Sequence, residues 1–250
     1  MEAPIISVVT VVYNSEALIE STLQSVTNQT YTNVEYIVVD GGSTDATPHI
    51  INKYRNKIAR YVSEPDHGIY DAMNKAIGLA SGDFIVFINS GDRFSDDSVL
   101  EKIFSNPDAC SADVVYGDTD ITDENGDVIH SRRHRPPDHL TWKSFKRGML
   151  VCHQSFIARR ALVPKYDLNY RCAADFDWCV KILRKATKTH NSNLVISLFL
   201  EGGQTRKTIV PGLKERFKIM RHHYGLMSAL FWNIILGVRF TWFVMRHRWF

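Results

Sequence analysis

Cysteine is scarce in these 250 residues: Cys110, Cys152, Cys172 and Cys179 are the only four, and no two form a Cys-x-x-Cys pair. A zinc ribbon and a thioredoxin-type redox motif are therefore excluded. Net charge is scarce too. Thirty Lys and Arg against 27 Asp and Glu leave +3, short of the concentrated basic excess of a nucleic-acid-binding surface, so no nucleic-acid partner is expected. Neither a Gly-x-Gly-x-x-Gly string nor a Lys-bearing P-loop occurs, which disfavours a dinucleotide oxidoreductase and a P-loop ATPase. The opening Met1-Glu2-Ala3-Pro4 has no basic region and no small-residue cleavage site, so the expectation is reduced thiols in a cytosolic compartment. What is present is a 44 % hydrophobic chain, long enough for one large domain or one domain with an appendage.

The N-terminal half alternates strand and helix periods. A β-branched run, Ile5–Val12, stops at Asn14-Ser15, and Ser15 is placed to cap a helix carrying Ala17, Leu18, Thr22, Leu23 and Val26. A second run, Val34–Val39, ends at Asp40-Gly41-Gly42-Ser43-Thr44-Asp45, where Ser43 or Thr44 can cap a helix through Pro48, Ile50, Ile51 and Tyr54. Arg60–Ser63 reads as a third strand, Ile69–Ala80 as a helix and Phe84–Ile88 as a buried fourth strand. This alternation predicts an α/β fold, a mostly parallel central sheet with helices on both faces. Farther on, Asn125-Gly126-Asp127 marks a hairpin between Ile121 and Val128–His130.

In such sheets ligands gather at the carboxyl ends of the strands. The polar clusters fall there: Tyr13-Asn14 after strand one, Asp40 to Asp45 after strand two, Glu64-Pro65-Asp66-His67-Gly68 after strand three, and Asn89-Ser90-Gly91-Asp92 after strand four. Any one of them is ordinary turn chemistry. Four in succession predict a shared crevice.

These strings, Ser7 to Asn14, Val38 to Thr47, Ser63 to Lys75 and Phe87 to Asp92, closely resemble glycosyltransferase family 2, which has the GT-A fold. The resemblance runs over about residues 5 to 200 and is nearest to bacterial colanic-acid, O-antigen and capsule glycosyltransferases. It implies inverting transfer of a sugar from a nucleotide diphosphate donor, UDP-sugar favoured, to an acceptor hydroxyl. By position it implies that Tyr13 lies against the base, that Asp40 hydrogen-bonds the base edge, and that Asp66 lines the donor pocket with Asn74 shaping its wall. Asn14, Gly42, Ser43, Lys75, Asn89, Ser90 and Gly91 complete the implied donor set. Two departures stand out. Where many members carry an Asp-x-Asp metal motif this chain has Asn89-Ser90-Gly91-Asp92, leaving Asp92 as the metal carboxylate, with capping of a helix near Ser95 as its alternative role. Where many have an arginine before the helical Asn it has Met73, and Lys75 is the substitute cation. Mg²⁺ or Mn²⁺ remains the expected cofactor, because a divalent ion stabilises the charge of a departing diphosphate and Mg²⁺ needs few protein ligands.

In Val151-Cys152-His153-Gln154, the resemblance places His153 near sugar and metal; a structural histidine beside an apolar strand is the equal alternative. Asp175 and Asp177 open a helix in which Phe176, Val180 and Leu183 face a core. Inverting transfer needs a base opposite the leaving group. In the family that base is the Asp of a Glu-Asp pair; Ala174 replaces the Glu here and Asp175 holds the Asp position, with Asp177 as rival.

Beyond residue 204 the composition changes. Nine Lys and Arg face Glu215 alone, so residues 205–250 carry +8 and the first 204 carry −5. Leu226–Val238 is almost wholly apolar, with Phe231, Trp232, Phe240, Trp242, Phe243, Trp249 and Phe250 around it, but Arg239 cuts the run below the ~20 residues of a spanning helix. The organisation expected is a GT-A domain over 1–204, divided into a nucleotide-sugar half (1–105) and an acceptor and base half (106–204), then a basic, aromatic, membrane-associating helical tail over 205–250. The tail is expected on anionic lipid, which fits an acceptor that is lipid-linked or a growing oligosaccharide and a peripheral place on the inner face of the bacterial inner membrane. A spanning helix and a helix buried in a homo-oligomer are its alternatives. The rival function is a non-catalytic donor- or glycan-binding scaffold of an assembly complex.

Overall fold

The computed structural model describes residues 3–202 and 209–247. Of the tail's charges and aromatics, Arg206, Lys207, Arg248, Trp249 and Phe250 lie outside the described residues.

The β-branched runs form the strands predicted: β1 (Ile6–Val12), β2 (Val34–Asp40), β3 (Arg60–Ser63) and β4 (Phe84–Phe87), all parallel to one another. β5 (Arg93–Phe94), β6 (Val114–Thr122), β7 (Val128–Ser131), β8 (Phe156–Arg159) and β9 (Thr189–Leu200) extend the sheet in the order β3-β2-β1-β4-β8-β6-β9-β5, with β7 paired to β6. Antiparallel β8 is the seam between the two halves, bonded to β4 on one side and β6 on the other. Gly126, at φ 90°, turns the expected hairpin into β7.

Alternate β1 residues face opposite cores. Ile6 and Val8 pack with α1 (Ile19–Thr27), α2 (Thr47–Lys53) and α4 (Val99–Phe104); Val9 and Val11 pack with α3 (Ile69–Leu79) and α6 (Ala174–Lys185). A short α5 (Pro107–Ser111) precedes β6. Phe176, Val180 and Leu183 of α6 are buried as their spacing required.

Two helices start later than the cap residues suggested, because those side chains are engaged elsewhere. The Ser15 hydroxyl bonds Ser90 Oγ across the crevice at 2.7 Å, and α1 begins uncapped at Ile19. The Ser43 hydroxyl donates to Asp40, and α2 begins at Thr47, whose N–H donates to Asp45 Oδ1 at 3.0 Å.

The tail forms α7 (Ile209–Tyr224) and α8 (Leu226–His247). It is less separate than its composition suggested: Ile219, Met220 and Ala229 are fully buried in the same core as α3 and α6. No helix among the described residues is long and apolar enough to cross a membrane.

Candidate active site

The loops after β1 and β2 are cross-braced. Asn14 sits at φ 43°, a conformation Asn tolerates better than most residues, and is held there from both sides: its N–H donates to Ser43 Oγ at 2.8 Å and its Oδ1 accepts from Thr44 N at 2.9 Å. Asp40 is fully buried, accepting from Ser43 N at 3.1 Å, from the Ser43 hydroxyl and from Ser63 Oγ at 2.6 Å. Its carboxylate thus ties the ends of β2 and β3 to one loop. Gly42, at φ 80°, passes close against Pro65. Tyr13, 63 % exposed, lays its ring beside Gly41 at the mouth.

Asp66 accepts from Gly68 N at 2.8 Å, and its carboxyl group occupies the space a Cβ at Gly41 would need. Gly41→Ala should therefore push the Asp66 carboxyl aside, at about 1–3 kcal/mol of overpacking, while Tyr13 stays in ordinary contact. The expected result is a roughly tenfold or greater rise in donor KM, since 1.4 kcal/mol is a factor of ten. Steady-state kinetics checks it, and an unchanged KM would remove Asp66 from the donor wall.

Asn74 spends its side chain on a backbone clamp, donating to Tyr166 O at 3.0 Å and accepting from Tyr166 N at 2.7 Å, which fixes α3 to the segment before α6. Lys75 reaches from α3 to the cluster after β3, on Glu64 at 2.9 Å and the Pro65 carbonyl at 2.8 Å.

At the end of β4, Asp92 does not cap a helix; Asp96 receives Ser98 N instead, ahead of α4. The Asp92 carboxylate accepts from Gln154 Nε2 at 2.6 Å and Leu200 N at 3.3 Å. Burial pushes it up to about 7, against the pull of those two donors. Asn89 Oδ1, three residues earlier, is buried without a hydrogen-bond partner among the described residues. Gly91 turns at φ 96° between them, and Ser90 braces the crevice through Ser15.

An unpartnered amide oxygen three residues from a buried carboxyl is hard-oxygen chemistry that fits Mg²⁺ or Mn²⁺, which would also favour the ionised form of Asp92. His153 is not brought into that set. Its Nε2 pairs with Tyr166 OH at 2.7 Å inside an aromatic box of Phe87, Tyr166 and Trp178, and burial pushes it down to about 4, Asp175 opposing. Its structural alternative describes the contacts it makes. Among the described residues no three His, Cys, Asp or Glu stand together as a metal cluster.

The two aspartates of α6 separate by environment. Asp177 is 2 % exposed and accepts from His223 Nε2 at 2.7 Å and Lys181 Nζ at 2.6 Å. Burial would raise its pKa, but His223 and Lys181 together hold it below the ordinary carboxylate range. It is a latch to α7, turned away from the crevice. Asp175 is half-buried at the first turn of α6, where the helix N-terminus favours a carboxylate. It accepts from Phe176 N at 2.8 Å and from Tyr70 OH, at the start of α3, at 3.3 Å. Burial, then Asp175, hold the Tyr70 phenol far above its usual range, so it stays a neutral donor to that carboxylate.

Several residues that the sequence did not single out build this end of the site. Glu215 of α7 accepts from Arg171 N at 2.9 Å, Cys172 N at 2.8 Å and Ala173 N at 3.0 Å, so the tail holds the backbone entering α6. Tyr70 and Gln154 lie inside the quoted strings and were legible as neighbours of the motif residues. Nothing in the sequence linked Glu215 to Asp175.

A strand-end crevice with Tyr13 and Asp66 at its wall, Asp40 buried beneath them as a brace and a half-buried carboxylate at Asp175 suits a nucleotide-linked substrate and a proton transfer. A model described as Glycosyl transferase family 2 matches residues 7–166. A PGL/p-HBAD biosynthesis glycosyltransferase of Mycobacterium bovis is 30 % identical over 218 residues, covering 84 % of this chain and 82 % of its own. Among solved structures, S. aureus TarS 1-349 in complex with UDP-GlcNAc matches with a TM-score of 0.69 at 23 % identity, over 87 % of this chain and 64 % of that one. This chain covers 40 % of a longer TarS chain. The mannosyltransferase PcManGT from Pyrobaculum calidifontis, in complex with GDP-Man and Mn²⁺, matches with a TM-score of 0.60 at 16 % identity, over 94 % of this chain and 75 % of that one. At those identities the structures speak for the fold, and the family match speaks for the chain. With its crevice built at the strand ends where that family's motifs fall, this chain belongs to glycosyltransferase family 2 and has the GT-A fold.

Proposed function

We propose that the protein is an inverting glycosyltransferase that moves a hexose from a nucleotide diphosphate sugar, UDP-sugar favoured, to a hydroxyl of a lipid-linked or growing glycan in bacterial surface polysaccharide synthesis. The observation that carries the reading is the half-buried Asp175 carboxylate, held by Tyr70 and Phe176 N at the mouth of α6 while Asp177 is fully engaged. Asp175 accepts the proton of the acceptor hydroxyl as that oxygen bonds to the anomeric carbon. The bond from that carbon to the diphosphate oxygen breaks on the opposite face, and its electron pair leaves with the diphosphate. Asn89 and Asp92 are the residues to hold Mg²⁺ or Mn²⁺, which when bound stabilises the departing negative charge. The test is release of nucleoside diphosphate from a panel of nucleotide sugars, with membrane lipid extract as acceptor source. Release that is lost on chelation and on Asp92→Ala supports the reading; no release from any donor leaves the scaffold alternative standing.

The tail supports a membrane surface as the site of this activity. On α8, Met227, Phe231, Ile234, Val238 and Trp242 are all exposed at three- and four-residue spacing, a continuous apolar stripe, while Ala229 and Trp232 turn inward. Lys214, Lys218 and Arg221 are exposed along α7. An apolar stripe beside exposed cations supports binding to an anionic lipid surface, on the cytoplasmic face where a lipid-linked acceptor is presented. Because Glu215 and His223 of α7 hold α6, the informative deletion ends after Gly225 and removes α8 alone. That version should stay in the supernatant when sedimented with anionic-lipid vesicles that pellet the full chain. Equal pelleting of both would show that α8 is not the anchor.

A further inference from the structure

The two faces of α7 do different things. Glu215, Arg216 and His223 reach toward α6, on the backbone before it, the Phe176 ring and Asp177, and Ile219 and Met220 are fully buried in the core. At the complementary helical positions, Leu213, Phe217 and Arg221 form one row and Lys214, Lys218 and His222 a second row beside it. With Tyr170, on the segment leading into α6, these rows line a groove of about 830 Å³, a volume in the range of small-ligand sites. It lies on the side of α7 opposite the residues that hold α6 and its Asp175.

The cations of this groove are uncommitted. Lys214, Lys218 and Arg221 are exposed and make no hydrogen bond or ion pair among the described residues. The carboxylates near Tyr170 are spent on other partners: Glu215 on three backbone N–H groups, Asp177 on His223 and Lys181, and Asp167 on Asn169. Apolar surface lies in the same groove, in Phe217 and in Leu213, which is 56 % exposed. A ligand that satisfies both carries negative charge and a short apolar portion side by side, which describes a phospholipid with a charged headgroup. The groove also runs toward the apolar stripe of α8. Arg221 and His222 stand in the last turn of α7, and just beyond Gly225, which turns at φ 82°, the exposed Leu226 and Met227 begin α8.

We propose that this groove binds an anionic phospholipid of the bilayer, with the headgroup phosphate on Lys214, Lys218 and Arg221 and the first acyl carbons on Leu213 and Phe217. The lipid is neither donor nor acceptor and is not consumed, since it sits on the outer face of α7. This assignment rests on the membrane-surface reading of α8 and adds a lipid-selective contact to it. Stable attachment of a peripheral protein takes two signals: α8 supplies apolar insertion and the groove supplies selectivity for negative charge. Neither is enough alone, so the groove does not hold the protein to vesicles once α8 is removed.

The test is calorimetric titration of the full chain with three soluble probes: dihexanoyl phosphatidylglycerol and dihexanoyl phosphatidylcholine, both kept monomeric, and glycerol phosphate. Phosphatidylglycerol should bind, and the other two should bind about tenfold more weakly or worse, one lacking net charge and the other the acyl carbons. Lys214→Gln, Lys218→Gln and Arg221→Gln should each weaken phosphatidylglycerol binding roughly fivefold, the worth of one cation at an anionic lipid surface. Leu213→Gln should weaken it with no change of charge. Lys57→Gln, which removes an exposed charge between α2 and β3, should bind as wild type does. All five side chains are exposed, so these variants should melt with wild type. Wild-type affinity in the triple Lys214, Lys218 and Arg221 variant would overturn the inference, and so would an equal loss in Lys57→Gln, which marks diffuse attraction. Glycerol phosphate binding as tightly as the lipid would overturn it too, making the groove a free-phosphate site. In each case the full chain would still sediment with phosphatidylglycerol vesicles; a full chain that does not sediment would instead overturn the membrane reading beneath it.

Discussion

Asp175→Asn should lower kcat by about a thousand-fold, within the 10²–10⁴ that a positioned general base contributes, or roughly 4 kcal/mol of barrier. The substitution is chosen because its structural cost is small. An amide oxygen still accepts from Phe176 N and from Tyr70 OH, the two bonds that hold Asp175 in place. Among the described residues, Tyr13, Asp40, Asp66 and Asp92 make no hydrogen bond to Asp175, so donor affinity and melting temperature should stay near wild type. The loss is confined to the proton that the carboxylate accepts and the amide cannot. Asp177→Asn gives the opposite pattern. It weakens a latch to His223 and Lys181, and should lower stability more than turnover at permissive temperature. Substantial activity in Asp175→Asn, measured as nucleoside diphosphate release under saturating donor, would take the base assignment away from this residue.

Trp178→Ala should cost about 3–5 kcal/mol of stability, the range for truncating a buried large aromatic. Trp178 is 1 % exposed and packs a full turn of α6 against the centre of the molecule. It stacks on Tyr166 with ring centroids 5.2 Å apart and 9° between planes, and meets Phe87, Phe156 and His153 edge-on. Its Nε1–H donates to the Pro164 carbonyl at 3.0 Å, which the substitution also leaves unsatisfied. For a chain of this length the melting temperature should fall by about 10 °C, read by circular dichroism or scanning calorimetry. Activity should fall further than stability alone requires, because α6 carries Asp175 and the same cluster positions Tyr166 and His153. Trp178→Phe keeps the ring contact with Phe87 and should recover most of the stability. A drop of only 1–2 °C for the alanine variant would mean that α6 is held mainly by α7 and not by this aromatic cluster.

The order of elements was legible because it rests on one-dimensional signals. β-branched runs at Ile6–Val12 and Val34–Asp40 alternate inward faces to two cores, and the polar clusters fall at their carboxyl ends. Helix starts were less legible, since Ser15 and Ser43 have cap chemistry but use their hydroxyls across the crevice, on Ser90 and Asp40. A cap and a cross-crevice brace look the same in sequence; only the partner distinguishes them.

Charge behaved in the same way. The basic tail could be counted but not oriented. Lys214, Lys218 and Arg221 do face solvent, whereas Arg216, within the same few residues, turns inward beside Asp175. Glu215, the single acid of the tail, holds three backbone N–H groups at the entrance to α6. Lys75, which the resemblance implied for the donor crevice, pairs with Glu64 of the cluster after β3. Long-range partners such as these, 40 or more positions apart for Glu215, leave no periodic trace in the chain.

The proposed transfer is a single displacement at the anomeric carbon, with Asp175 taking the acceptor's proton opposite the departing diphosphate. Proton NMR of the glycoside formed from an α-linked nucleotide sugar, read by the anomeric coupling constant, tests this directly. A β-linked product is expected; an α-linked product would contradict the proposed mechanism.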